Sequence, residues 1–227
     1  MHQASGYPQH PYEGSLRSIC KGPVEKSRNS EDSDSLLTLK NQIIAYINEG
    51  NDVSAIEGIN LLINDYNNNP DAANVIFEIA KKYYNIGRLY QTYEFYADAN
   101  EEYEHTKEIT ERSIADLPKN DIDATVETYH LAAENYRRLK NHRKAAECYQ
   151  KVVDLDPDFK YAWHAQFMVG YSYDRLWNRR EIDKSEADKR IREAYEKLLK
   201  NYPNSAAVKA AKMWLNDNPK IEEGGTQ

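Results

Sequence analysis

The sequence predicts an all-α fold, a right-handed solenoid of about four helical hairpins with a C-terminal capping helix. Four prolines, spaced 48, 39 and 46 residues apart, each close an amphipathic helix-like stretch: Pro70, Pro118, Pro157 and Pro203. Near-regular intervals in this range are typical of helical-hairpin repeats, because a single hairpin cannot bury its apolar face alone. No segment of useful length alternates with the two-residue period of a strand. We therefore expect a binding surface and no enzymatic activity.

The composition narrows the functional class. At 227 residues the chain is long enough for one domain or one elongated solenoid. Its formal charge of −7 argues against a nucleic-acid partner, since phosphate binding needs an excess of Lys and Arg. No apolar run approaches ~18 residues, so we expect no membrane span. The N-terminus lacks the apolar core of a signal peptide, which leaves open a mature form from which such a peptide was removed.

Three regions follow from composition along the chain. Residues 1–34 are rich in Gly, Pro and polar residues and are predicted to be mobile, because they offer little to offset the entropy of ordering. Residues 35–217 form the predicted solenoid, and residues 218–227 a second mobile tail. Asp32–Ser35 offers N-cap residues for the first helix.

Apolar residues at helical spacing predict the first two hairpins. The first has helices over about 36–47 and 54–66. The next begins with a helix over about 71–86, with Gly87 at the turn. For residues 88–116 we favour a single long helix, and two shorter helices are the alternative.

The C-terminal part shows the clearest helical pattern. A charged insert is predicted at Asn178–Ser185, inside the last hairpin. The predicted helices of this part cover about 122–139, 142–154, 158–176, 186–201 and 205–216.

Residues 126–159 resemble a tetratricopeptide repeat. This family needs small residues where two helices approach closely, aromatic residues beside them and a closing proline. Six positions match: Tyr129, Ala133, Tyr136, Ala145, Tyr149 and Pro157. The resemblance implies stacked helical hairpins whose inner face binds proteins.

The neighbouring hairpins match this pattern less completely. In the last hairpin Gly170 and Tyr195 match, while Ile191 replaces a small residue. In a hairpin framed from residue 73, Ala80 takes the small position and Thr92 replaces another. Its other matches are Tyr83, Tyr96 and Ala99.

Two further stretches resemble the bacterial envelope branch of this family. They are Ala165–Tyr173 and Asn201–Leu215, and the branch includes Tol–Pal-associated and outer-membrane assembly lipoproteins. This resemblance implies a periplasmic or envelope location, with the cytoplasm as the alternative.

The resemblance also implies a concave groove lined by fixed positions of the first helix of each hairpin. These positions mix aromatic side chains with both charges, which suits an extended or helical peptide. Phe77, His130 and Phe167 occupy a position that chaperone-binding members use to clamp a terminal carboxylate, which argues against that role. The alternative is that some of these rings pack against the neighbouring repeat. The predicted groove residues are Asn74, Phe77, Lys81, Tyr84, His130, Glu134, Arg137, His164, Phe167, Tyr171 and Asp174.

Other patterns predict no chemistry. Two E-x-x-H sequences, Glu102/His105 and Glu127/His130, have the spacing of di-iron ligands on a helix. The first lies farther from the connector at Pro118 than the second, so the two would not face each other in an antiparallel helix pair. We therefore expect no metal site and no cofactor. The basic run from Arg137 to Lys144 is interpreted as a solvated turn, with an acidic partner as the alternative.

Two functions remain open at this point. The first is a non-catalytic adaptor that binds a protein segment in its groove and aids assembly of a larger complex. The second is a structural subunit of an obligate multiprotein complex. A metal-binding helical protein is a third, weaker alternative.

Overall fold

The computed structural model describes residues 31–69, 71–116 and 121–219. These ranges contain nine α-helices and no strand, which confirms the predicted all-α class. The predicted mobility of residues 1–30 and 220–227 concerns residues outside the described part. The helices are α1 (Glu31–Asn48), α2 (Asp52–Asp65), α3 (Ala72–Thr92), α4 (Tyr96–Asp116), α5 (Ile122–Arg138), α6 (His142–Leu155), α7 (Ala162–Asn178), α8 (Lys184–Asn201) and α9 (Val208–Asp217).

The helices stack as a solenoid. Pairs α1–α2, α3–α4, α5–α6 and α7–α8 form four hairpins, and α4–α5 and α6–α7 contacts join the later ones. Helix α9 packs on α8, as the predicted capping helix should. The buried side chains follow this order in three successive apolar clusters. Each hairpin therefore buries its apolar face largely against its neighbours in the stack.

The four hairpins turn in the same way. A residue with positive φ ends the first helix of each: Gly50 (70°), Glu94 (65°), Lys140 (60°) and Arg180 (60°). Two backbone bonds accompany each turn; in the third hairpin Lys140 N–H donates to Arg137 O (3.1 Å) and Asn141 N–H to Tyr136 O (2.8 Å). This pairing is the Schellman motif, which satisfies carbonyl groups at a helix C-terminus.

The structure corrects the prediction for the second hairpin. Gly87 does not form the turn: it is buried within α3, and a Cβ built on it would lie 2.7 Å from Tyr103 Cε1. The turn comes at Tyr93–Phe95, so the single helix predicted over 88–116 is wrong, and α4 begins at Tyr96. The turn holds no glycine or proline and therefore gave no sequence signal, whereas Gly87 suggested a turn at the wrong place.

Other boundaries differ by a few residues. Helix α1 already begins at Glu31, so Asp32–Ser35 lies inside it and supplies no N-cap. Helix α7 begins at Ala162, later than predicted, after turns that follow Pro157. The predicted insert is shorter: only Arg179–Asp183 is loop, and its flanks extend α7 and α8.

One buried polar contact joins the second and third hairpins. Asn135 of α5 is 1 % exposed, and its Nδ2 donates to the carbonyl of Tyr103 in α4 at 2.7 Å. Among the helices described, none is long and apolar enough to cross a membrane.

Candidate binding groove

An open groove of about 560 Å³ lies along the first helices of the second, third and fourth hairpins. Its walls are α3 and α5, and the segment Phe159–Tyr161 with the start of α7 closes one side. The lining residues are Phe77, Lys81, Tyr84, Asn85, Arg88, Glu127, His130, Leu131, Glu134, Arg138, Phe159, Lys160, Tyr161, Trp163 and His164.

The structure brings six of the eleven predicted groove residues together in this lining. Their shared feature is a place on the first helix of a hairpin. They are Phe77, Lys81, Tyr84, His130, Glu134 and His164.

Two further predicted residues lie beside the groove and hold its walls. Asn74 Nδ2 donates to Asp121 Oδ2 at 3.0 Å and so ties α3 to the start of α5. Arg137 Nη2 donates to Glu134 Oε2 at 2.8 Å, one turn away on the same helix.

The three predicted residues of α7 that follow His164 do not line it. Phe167 stacks on Tyr195 with ring centroids 5.4 Å apart, so it is a packing residue between α7 and α8. Tyr171 carries the Arg175 guanidinium over its ring at 4.8 Å. Asp174 accepts from Asn178 within the same helix. Phe167 is therefore a packing residue, as the alternative interpretation of the groove aromatics expects for some of these rings.

Sequence reasoning missed several lining residues. Arg88 was missed because the hairpin was framed seven residues too early, with Ala80 in the place of Gly87. Lys160 and Tyr161 were missed because they precede α7, in a segment to which the repeat pattern assigns no groove position. Only the aromatic and basic character of Phe159–Tyr161 offered a signal.

Aromatic rings surround His130 at the centre of the groove. Tyr161 stacks on its imidazole at 5.2 Å and 18°, and Phe159 and His164 meet it edge-on at 5.7 and 6.0 Å. Its Nε2 is buried and has no hydrogen-bond partner among the described residues. Burial lowers the pKa of His130 to about 4 and also lowers that of His164. Both rings are neutral at pH 7.

Glu134 is the ionised centre of the site. Its Oε1 accepts from the hydroxyl of Tyr149, and its Oε2 binds Arg137. Burial by itself raises the pKa of Glu134, but the charge of Arg137 and the Tyr149 hydrogen bond outweigh burial and lower it. The carboxylate is thus fixed in position by two neighbours.

The lining is locally basic in a chain with a net negative charge. Four basic side chains line it against two acidic ones, and both acidic ones are paired: Glu127 with Lys160 at 2.8 Å, and Glu134 with Arg137. In the described part of the chain, Lys81 and Arg88 form no ion pair. They remain available to an acidic ligand.

The two E-x-x-H sequences do not form one site. Glu127 pairs with Lys160, and His105 packs its ring edge-on against Tyr83 at 5.0 Å, in the N-terminal apolar cluster. Cys148 is buried, and burial raises the pKa of its thiol to about 12. Cys20 lies outside the described residues.

Two segments of the chain are similar to known repeats. Residues 126–159 match one family model of the tetratricopeptide repeat, and residues 164–205 match another. No curated protein shows significant similarity to the chain. The matches coincide with hairpins α5–α6 and α7–α8, and they support a tetratricopeptide repeat protein with a TPR-like solenoid. Repeats of this kind suggest a protein–protein interaction scaffold.

Proposed function

We propose that the chain is a non-catalytic adaptor that binds a segment of a partner protein in this groove. The observation that carries the proposal is a groove of about 560 Å³ lined by aromatic rings and by two basic side chains, Lys81 and Arg88, that form no ion pair in the described part of the chain. Aromatic residues and arginine are the side chains that contribute most to protein interfaces. Stacked repeats present such a groove on rigid helices, which reduces the entropy lost on binding.

The charges of the groove indicate the chemistry of the segment. Lys81 and Arg88 point to Asp or Glu side chains on one side of the ligand. Tyr161 is 46 % exposed, and together with Trp163 it offers an apolar surface to an aromatic or aliphatic anchor. The ligand is therefore an acidic peptide segment with an apolar anchor, bound in extended or helical form.

Selection from a random peptide library against the purified full-length chain tests this proposal. We expect the selected peptides to combine acidic residues with an apolar anchor. Lys81→Glu/Arg88→Glu should weaken the affinity of a selected peptide at least about 10-fold, because two attractive contacts become repulsive. Fluorescence anisotropy of the labelled peptide measures this change.

A matched variant controls for net charge. Lys151→Glu/Lys189→Glu introduces the same charges at exposed positions of α6 and α8, away from the groove lining. We expect it to bind the peptide like the wild type. Equal loss in both variants, or no loss in either, contradicts the groove as the binding site.

A second candidate function rests on a different surface. Four large apolar side chains around the α3–α4 turn are more than half exposed: Leu89 (55 %), Tyr93 (65 %), Phe95 (56 %) and Tyr96 (59 %). An exposed apolar cluster favours a structural subunit that buries this turn in a permanent complex. Native co-purification separates the two functions: a stoichiometric partner that dissociates on Phe95→Asp, but not on the groove changes, supports the subunit.

The proposal also covers the complex that the adaptor helps to assemble and the compartment in which it acts. The resemblance of Ala165–Tyr173 and Asn201–Leu215 to envelope proteins favours an adaptor that aids assembly of an envelope complex. Cell fractionation with an antibody to the native protein distinguishes the periplasm from the cytoplasm.

A further inference from the structure

Two adjacent hairpins place three metal-binding side chains together in the groove. His130 and Glu134 are one helical turn apart on α5, and His164 comes from α7. One ligand atom from each lies within 4.8 Å of the other two. His164 Nδ1 and Glu134 Oε1 are 4.0 Å apart.

These separations are close to those of a metal site. Zinc binds imidazole nitrogen and carboxylate oxygen at about 2.0–2.2 Å, so two ligands of one ion lie roughly 3–4 Å apart. Side-chain rotations that move the ligand atoms by about 1 Å therefore suffice to bring all three into coordination. The backbones of α5 and α7 need not move.

The surroundings favour these residues as ligands. His130 Nε2 is buried without a hydrogen-bond partner in the part of the chain that the structure describes, and a buried polar atom of this kind is costly unless it binds something. Tyr149 and Arg137 hold the Glu134 carboxylate in place, as the second shell of a metal site does. The positive charge of Arg137 opposes a cation, so we expect a moderate affinity.

We propose that His130, Glu134 and His164 bind a divalent transition-metal ion, with Zn²⁺ as the best fit. Two imidazoles and one carboxylate suit zinc and its neighbours, whereas Ca²⁺ and Mg²⁺ require mostly oxygen ligands. Three protein ligands leave a coordination position open toward the groove. This proposal is an alternative to the sequence-based prediction that the chain holds no metal. The site lies in the groove, but the proposal does not require that the groove binds a peptide.

Titration of the chelator-treated full-length chain with ZnCl₂ tests the site. Isothermal calorimetry should show one equivalent bound, and Co²⁺ should give visible absorption bands of an ordered site. His164→Gln removes a ligand that is about one third exposed, so we expect the fold to survive and the affinity to fall about 100-fold. Glu134→Gln should also weaken binding.

Two controls test three of the four histidines outside the proposed site. His105→Gln changes a histidine outside the groove, and His2→Gln/His10→Gln changes the two nearest the N-terminus. Both should keep the wild-type affinity. Failure of the wild type to bind Zn²⁺, or equal binding by His164→Gln, overturns the proposal and leaves the peptide groove untouched.

X-ray absorption of the zinc-loaded wild type decides the ligands without any substitution. Two imidazoles in the first shell support the site. A shell with a thiolate, or with oxygen alone, overturns it.

Discussion

Hairpins α3–α4 and α5–α6 share their central geometry, although only the second matches a repeat family. In each, a small residue of the first helix is followed sixteen residues later by a buried tyrosine of the second helix: Tyr103 after Gly87, and Tyr149 after Ala133. Gly87 approaches Tyr103 closely, and Ala133 and Tyr149 belong to one apolar cluster. In each, the positive-φ residue of the turn follows the small residue by seven positions. The turn, and the spacing of the small residue and the tyrosine, are therefore equivalent.

The two hairpins differ at the end away from the turn. Helices α3 and α4 each have 21 residues, against 17 and 14 in α5 and α6. Measured from the small residue and the tyrosine, α3 starts four residues earlier and α4 ends seven residues later than their counterparts. The additional helical turns of α3 and α4 do not follow the tetratricopeptide pattern.

The buried carboxylates of the two hairpins also differ. Glu134 of α5 has Arg137 as its partner, whereas Glu102 of α4 has a buried oxygen with no hydrogen-bond partner among the described residues. A hairpin can therefore keep the repeat's packing while its polar positions diverge. This divergence explains why family similarity ends before the structural repeat does.

The largest expected effect comes from filling the close helix contact in the two hairpins whose first helix holds a glycine at that contact. A Cβ would lie 2.7 Å from Tyr103 at Gly87 and 2.5 Å from Tyr195 at Gly170. Neither ring can move freely, since Tyr195 stacks on Phe167 and Tyr103 donates to Gln91 at 2.9 Å. We expect Gly87→Val and Gly170→Val each to lower the free energy of unfolding by about 3 kcal/mol, measured by urea denaturation.

Asn100→Val is the control for this comparison. It introduces the same side chain at an exposed position of α4 and should cost less than about 1 kcal/mol. A small effect at Gly87 beside a large one at Gly170 would show that the α3–α4 hairpin lacks the repeat's close contact.

A helix or turn could be predicted from the sequence only where its residues formed a recognisable pattern. Apolar spacing and closing prolines located α5 and α6 to within one residue at each end, because their lengths follow the repeat. The α3–α4 turn was misplaced because Glu94 adopts positive φ without being glycine, and because Gly87 serves packing. Tertiary contacts, and not local backbone propensity, determine the conformation of Glu94 and the role of Gly87.

The candidate site was predictable only in part, for a related reason. Lys81 and Tyr84 were found despite the wrong frame, since a seven-residue shift preserves the face of a helix. Arg88 and the segment Phe159–Tyr161 were not found, because their place depends on the true frame and on a loop. The proximity of His164 to Glu134 depends on how two hairpins stack.

A smaller effect is expected from the Glu102 carboxylate of α4. Burial first, and then the charges of Asp52, Glu101 and Asp98, raise the pKa of Glu102 from 4.5 to about 7. On α3, Tyr83 also faces it and donates to Asp52 at 3.3 Å. Because the folded state binds this proton more tightly, its contribution is complete below pH 4.5 and is lost as pH rises through 7.

Glu102→Gln should therefore reduce the loss of stability between pH 5 and pH 8. After allowance for solvent screening at this partly buried side chain, we expect a difference of about 1–2 kcal/mol from urea denaturation at the two pH values. Glu147→Gln, at an exposed position of α6 paired with Lys144, should leave the pH dependence unchanged. Identical behaviour of the two variants would remove Glu102 as a difference between the hairpins.

The smallest expected effect comes from the positive-φ turn residue that the two hairpins share. Glu94 and Lys140 adopt φ of 65° and 60°, where a side chain costs energy that glycine avoids. We expect Glu94→Gly and Lys140→Gly each to raise the free energy of unfolding by about 0.5–1 kcal/mol, seen as a higher Tm. Equal gains from residues of opposite charge exclude an electrostatic origin.

The first hairpin offers the reverse substitution. Gly50 has φ of 70°, and a Cβ built on it would meet nothing within 4 Å, so Gly50→Ala isolates the backbone term and should cost about 1 kcal/mol. Lys151→Gly, inside α6, should also be destabilising, because glycine is unfavourable within a helix. A gain at Lys140 without one at Glu94 would mean that the two turns only look alike, and that the second hairpin holds its turn by contacts of its own.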